Sequence, residues 1–177
     1  MNFNPRIRLL NLMYDTPVES LARKVYMYLF QRKNYEIDRQ TVAVMHKILT
    51  PASNCIDIGC YRGEILRYKV QLSPRGEIFG FEPVPYHYDF LKKKFPRAKI
   101  FQVALGQAEG MAKFYFDPEY PGRSRLAAGE GAVRHNTLQE LKVRVDKLDN
   151  MIPTDLAVDF IKIDVQEILA LQLKPSL

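Results

Sequence analysis

The sequence predicts an α/β fold: a doubly wound, mostly parallel sheet preceded by a helical extension. Three features point to it. From Asn54 onward, short apolar runs alternate with helix-like stretches. Glycines stand where the first of those runs ends. The first fifty residues show helical spacing instead.

The extension reads as two helices. Thr16-Pro17-Val18-Glu19 has the form of a capping box, with Thr16 as N-cap and Glu19 at the third position. Val18, Leu21, Ala22, Val25, Met27, Tyr28 and Leu29 then supply an apolar face out to Phe30. A second helix is expected from Asp38 to Leu49, stopped by Pro51. This preface is expected to pack onto the domain that follows. The expected division is a helical extension over 1–52 and a sheet domain over 53–177.

Cys55-Ile56-Asp57-Ile58 is the first strand, ending at Gly59. Glu64–Leu72 reads as a helix, and Ser73-Pro74-Arg75-Gly76 as a turn. Glu77–Phe81 is a second strand, Tyr86–Phe95 a second helix, and Lys99–Val103 a third strand. This β-α-β-α-β order implies parallel pairing through right-handed crossovers. Strands follow at Met111–Phe116 and Glu140–Val145, around a loop rich in Gly, Arg and Ala from Asp117 to Asn136. A loop of that length is functional or mobile. Lys147–Asn150 turns the chain into a last β-like run, Val158–Val165.

Composition narrows the function classes. The 177 residues are 47% hydrophobic and 26% charged, enough apolar material for a core. No run approaches the roughly 18 apolar residues of a membrane span. Arg6 and Arg8 precede only Leu9 and Leu10 before Asn11, which is not a secretory signal, so a cytoplasmic protein is expected. Cys55 and Cys60 have neither disulfide nor redox spacing, and His46, His87 and His135 are scattered; no metal site is expected. The net charge of +6 comes as small knots such as Lys92-Lys93-Lys94 on expected helices. Solvated faces explain them, and no nucleic-acid partner is expected.

The chemistry gathers at the strand ends. Asp57-Ile58-Gly59-Cys60-Tyr61-Arg62-Gly63 joins the first strand to its helix, and glycines there let backbone approach a ligand. Glu82 stands just past the second strand, 23 residues beyond Gly59, and an acid about 20 residues past the glycine loop is where nucleotide-binding α/β folds place the acceptor for ribose hydroxyls. A dinucleotide pyrophosphate wants a second glycine where this loop has Tyr61, and Asp57 would repel it. The same carboxylate suits a cationic, phosphate-free nucleoside, so S-adenosylmethionine is favoured over NAD.

Asp57-Ile58-Gly59, Gly80-Phe81-Glu82-Pro83, Val103-Ala104-Leu105-Gly106 and Ile161-Lys162-Ile163-Asp164-Val165 occur in the order of the FkbM methyltransferases, and Val145–Asp149 is similar to the segment before their fourth strand. From Asn54 to Val165 the chain thus resembles that family of class I, Rossmann-like enzymes. The resemblance implies S-adenosylmethionine-dependent O-methylation of a hydroxyl on a small-molecule or glycan acceptor, such as a sugar or secondary metabolite. It also implies that Asp57, Gly59 and Gly63 line the methionine end and Glu82 the ribose. Val103 and Ala104 would lie near the adenine, and Asp164 would face the reaction centre. There Asp164 would orient the acceptor hydroxyl or take its proton; as a plain strand-end acid, it would cap the next helix.

The family usually continues as Asp-Val-Glu-Gly, whereas Asp164-Val165 is followed here by Gln166-Glu167-Ile168. Class I methyltransferases have three more strands beyond this point. Relative to them the chain reads as incomplete at its C-terminal half, with the last strand an open sheet edge that invites self-association. The short tail, with Leu169, Leu171 and Leu173, does not replace three strands. Little activity and marginal stability are expected on this reading. The alternative function is then a non-catalytic S-adenosylmethionine-binding or interaction remnant.

Overall fold

A computed structural model describes residues 18–30, 32–117, 124–126 and 138–164. The capping box at Thr16-Pro17, most of the Asp117–Asn136 loop, Val165 and the tail from Gln166 lie outside the described residues. The chain divides into two compact units, Met1–Lys47 and Ile48–Leu177.

The first unit holds helices α1 (Glu19–Phe30) and α2 (Arg32–Ile48). Leu21, Val25, Tyr28 and Leu29 of α1 are exposed. Helix α2 starts a turn and a half earlier than its apolar periodicity suggests. Polar pairs support those early turns: Arg39 and Gln40 both donate to the Glu36 carboxylate, and Tyr28 meets Tyr35 edge-on at 5.6 Å. No described helix is long and apolar enough to cross a membrane.

The second unit is built on β1 (Cys55–Ile58), whose four residues are all buried. Helix α3 (Leu66–Leu72), β2 (Ile78–Phe81), α4 (Pro85–Lys94) and β3 (Lys99–Phe101) follow. With β8 (Phe160–Ile163) they form a parallel sheet of order β3-β2-β1-β8, the doubly wound arrangement expected from sequence. Its core gathers Ile56, Ile58, Phe79, Phe81 and Val103, with the Phe81 and Phe101 rings stacked at 5.4 Å.

The third strand is shorter than expected and the chain changes sheet. Ala104–Leu105 forms β4, which pairs with β7 (Gln139–Asp146) rather than continuing β3. Strand β5 (Gly110–Phe116) runs antiparallel to β7 and to the short β6 (Arg125–Leu126), giving a second sheet of order β4-β7-β5-β6. The switch has a packing cause: Val103 is drawn into the first core, while Ala104 joins Val143 and Val145 in a second. A 3-10 turn at Leu148–Asn150 then leads back toward β8.

Asn54 fastens the amino ends of three strands. Its side chain donates to the Ala157 carbonyl at 2.8 Å and accepts the Glu77 amide at 2.9 Å, and its own amide donates to Asp159 at 2.7 Å. Replacing Asn54 by Ala removes the two side-chain bonds that span β1, β2 and the approach to β8. Denaturant unfolding should show a loss of about 1–3 kcal/mol; an unchanged midpoint would mean water replaces both bonds without cost.

Candidate functional site

Register aligns the site. Ile58 pairs with Phe81 on one side and Ile163 on the other, so Gly59, Glu82 and Asp164 are each the first residue beyond their strand. The Gly59 amide donates to the Phe81 carbonyl at 3.0 Å and the Asp164 amide to the Ile58 carbonyl at 2.9 Å. β1 lies between β2 and β8 in a parallel sheet, so the row crosses the point where strand order reverses, where such sheets open a crevice.

The β1–α3 loop needs its glycines for two reasons. Gly59 and Gly63 have φ of 78° and 77°, left-handed values that glycine adopts without cost. A Cβ on Gly63 would also stand 2.4 Å from Phe95 and 2.9 Å from Leu91, so the loop lies directly against the end of α4. Tyr61 is left-handed too, at φ 50°, in a conformation an aromatic residue seldom holds unaided.

Glu82 helps hold it there. Glu82 is 4% exposed, and its carboxylate is neither a solvated loop acid nor an unpaired one. One carboxylate oxygen accepts the Tyr61 amide at 2.8 Å and the other accepts the Val84 amide at 3.0 Å. Val84 is the extended residue before Pro85 at the start of α4, where the helix dipole favours an anion. Glu82 therefore bridges the glycine loop and the next helix. A carboxylate has about four lone-pair sites, so two remain for other donors.

The other residues singled out from sequence sit differently. Asp57 is 1% exposed and faces the fully buried Lys69 of α3, Nζ to Oδ1 at 3.0 Å. The same ammonium donates to the Ile56 carbonyl at 2.8 Å and stands 5.4 Å from the Phe160 ring centre. Burial lowers the Lys69 pKa, and the Asp57 charge works against that shift. Val103 and Ala104 are buried in the two apolar cores. Asp164 is exposed, with its carboxylate 2.8 Å from Lys162 Nζ. Both cysteines are buried, and burial pushes the Cys60 thiol well above its usual range, which suits packing and not nucleophilic chemistry.

Sequence reasoning missed Lys69 and His87. Lys69 lies three residues from both Leu66 and Leu72, a helical spacing that marks an inward face. His87, in the first turn of α4, is 2% exposed, and its Nδ1 lies 3.7 Å from Glu82. Three rings surround it: Tyr61 at 4.5 Å, Tyr86 at 4.0 Å and Phe116 at 5.7 Å.

Residues 57–168 match the methyltransferase FkbM domain model. The 2-O-methyltransferase NoeI of Sinorhizobium fredii (strain NBRC 101917 / NGR234) is 30% identical over 83 residues, 45% of this chain and 33% of that protein. The chain thus aligns with about a third of that relative's length. Among solved structures, the methyltransferase FkbM from Methylobacillus flagellatus KT aligns with a TM-score of 0.43 at 15% identity, over 92% of this chain and 41% of that one. The plantazolicin methyltransferase BpumL, solved with a pentazolic desmethylPZN analog and SAH, aligns with a TM-score of 0.32 at 13% identity. That alignment covers 62% of this chain and 57% of that one.

The Asp57–Lys69 pair makes a direct prediction. Lys69→Met leaves a buried carboxylate without its partner and should cost about 3–5 kcal/mol in denaturant unfolding. Adding Asp57→Asn removes the orphaned charge and should recover a large part of that loss. Equal destabilisation of the single and double variants would show that Lys69 acts through packing alone.

Proposed function

The chain belongs to the FkbM methyltransferase domain family, and from that premise we propose that it binds S-adenosylmethionine at the carboxyl edge of its parallel sheet and serves O-methylation of a hydroxyl acceptor. The observation that carries this reading is the row formed by Gly59, Glu82 and Asp164 across adjacent strand ends. The donor set fits. Glu82 is oriented by two backbone amides and keeps acceptor capacity for two ribose hydroxyls, for which a carboxylate is a strong partner. The left-handed Gly59 and Tyr61 bend the loop away from the strand, so its backbone can approach a nucleoside.

Asp57 supports the site from below. Its charge is compensated by Lys69, so the preference for a phosphate-free nucleoside rests on Tyr61 more than on a bare carboxylate. The ion pair ties β1 to α3 on either side of the loop and keeps Gly59 and Gly63 in place. Val103 and Ala104, whose side chains are buried, would border the adenine through their backbone.

When bound, the cofactor supplies a methyl group on a positively charged sulfur, ready for in-line displacement by an oxygen nucleophile. Asp164 stands across the switch point from Gly59, anchored by its amide on Ile58. In this reading it orients the acceptor hydroxyl and takes the proton that leaves as the oxygen gains its methyl group. Lys162 Nζ lies 2.8 Å from that carboxylate and faces it from the same strand end. The acceptor class, a hydroxyl on a small molecule or glycan, is consistent with the 2-O-methyltransferase relative.

S-adenosylhomocysteine should raise the melting temperature of the chain and NAD should not. At 100 times its dissociation constant, a ligand stabilises by about 2.7 kcal/mol, an easily measured shift. Glu82→Ala should weaken that binding by about 1.5–3 kcal/mol. Stabilisation by NAD alone, or unchanged affinity in a folded Glu82→Ala chain, would contradict the assignment.

A further inference from the structure

His87 has a buried nitrogen whose orientation needs a cause. Its ring is 2% exposed, and Nδ1 has no hydrogen-bond partner among the described residues. Buried polar atoms are rarely left unpaired, because each forfeits its hydration. Here Nδ1 faces the one carboxylate of the candidate ribose site, 3.7 Å from Glu82 Oε1. A bare nitrogen lone pair at that distance would repel the anion, whereas an N–H would attract it. The surroundings therefore favour the form of the imidazole that carries a proton on Nδ1.

The ring also touches the strained part of the glycine loop. Tyr61, at φ 50°, packs edge-on against His87 with the ring planes at 80°. Phe116, at the end of β5, also meets His87, with the ring planes at 84°. The imidazole thus touches both the second sheet and the loop, with its Nδ1 turned to Glu82. An apolar side chain would fill the same space without that edge.

We propose that His87 is a positioning residue for ribose recognition: its Nδ1 proton holds the Glu82 carboxylate in place, and its ring props Tyr61 in the left-handed turn whose amide Glu82 accepts. Glu82 keeps two hydrogen bonds from backbone amides without His87. What the imidazole adds is a third N–H facing the same carboxylate on the Oε1 side, at 3.7 Å too long to take up a lone pair left for the hydroxyls. That restricts its rotation and leaves it ready to accept hydroxyls at less cost in ordering. This role rests on Glu82 accepting the ribose hydroxyls.

Calorimetry on the full chain separates the two ideas, using S-adenosylhomocysteine and an analogue of it lacking both ribose hydroxyls. Glu82→Ala, which removes the acceptor, should abolish the parent's preference for the hydroxylated ligand; if the preference survives, the ribose reading itself fails. His87→Phe keeps the ring packing and removes the donor. It should lose about tenfold in affinity for S-adenosylhomocysteine and leave the analogue's affinity unchanged. His87→Asn, which returns an N–H near the Nδ1 position without the ring that props Tyr61, should recover part of that loss. If Glu82→Ala behaves as expected but His87→Phe loses nothing, or weakens both ligands equally, His87 is packing only and the proposal is overturned. Nitrogen-15 NMR of the unsubstituted chain decides the matter if His87→Phe does not fold. A protonated Nδ1 supports the role, and a bare Nδ1 facing Glu82 overturns it.

Discussion

Strand β1 is buried along its whole length and hydrogen-bonded on both edges, to β2 and to β8. A strand so enclosed has no freedom of register: a slip of one residue would turn every side chain to the opposite face. The positions of Gly59, Glu82 and Asp164 follow from that single register, since each lies one residue past a paired strand end. The same enclosure forces a solution for Asp57, an acid in the middle of the buried strand. Lys69 reaches in from α3 and compensates the charge, at the cost of burying an ammonium whose own pKa is lowered.

Around this strand the polar groups form two tiers. The lower one, Asp57 with Lys69, is dry and ties β1 to the helix after the loop. The upper one, Glu82 with the amides of Tyr61 and Val84 and the His87 ring, ties the loop to the helix after β2. Each uses one buried carboxylate to join elements that are distant in sequence. The upper tier alone keeps acceptor capacity at the strand ends, which is why the ligand reading centres on Glu82. The second sheet contributes from its β5 end, where Phe116 backs the imidazole.

Much of this was legible in the residues. The alternation from Cys55 to Phe101 identifies three strands and two helices, because buried parallel strands read as short apolar runs between turns. Gly59 and Glu82 announce themselves by their place after those runs. Other features are set by partners far away in the chain. Nothing local tells Ala104 to leave the first sheet, since its partner Val145 comes 41 residues later. Lys69 passes as one more surface base unless its helical face is traced, and His87 passes as a scattered histidine. The early start of α2 rests on side-chain pairs around Glu36 that apolar periodicity does not register.

The central claim is that a nucleoside is held by the loop and carboxylate at the β1 and β2 ends. A titration of the nitrogen-15-labelled chain with S-adenosylhomocysteine, followed by amide NMR, tests it most directly. The Tyr61 and Val84 amides should shift most, because their hydrogen-bond acceptor is the carboxylate that takes the ligand, with smaller changes at Gly59, Gly63 and Asp164. Shifts confined to the second sheet or the first unit, with Tyr61 and Val84 unmoved at saturation, would place the ligand elsewhere and contradict the account.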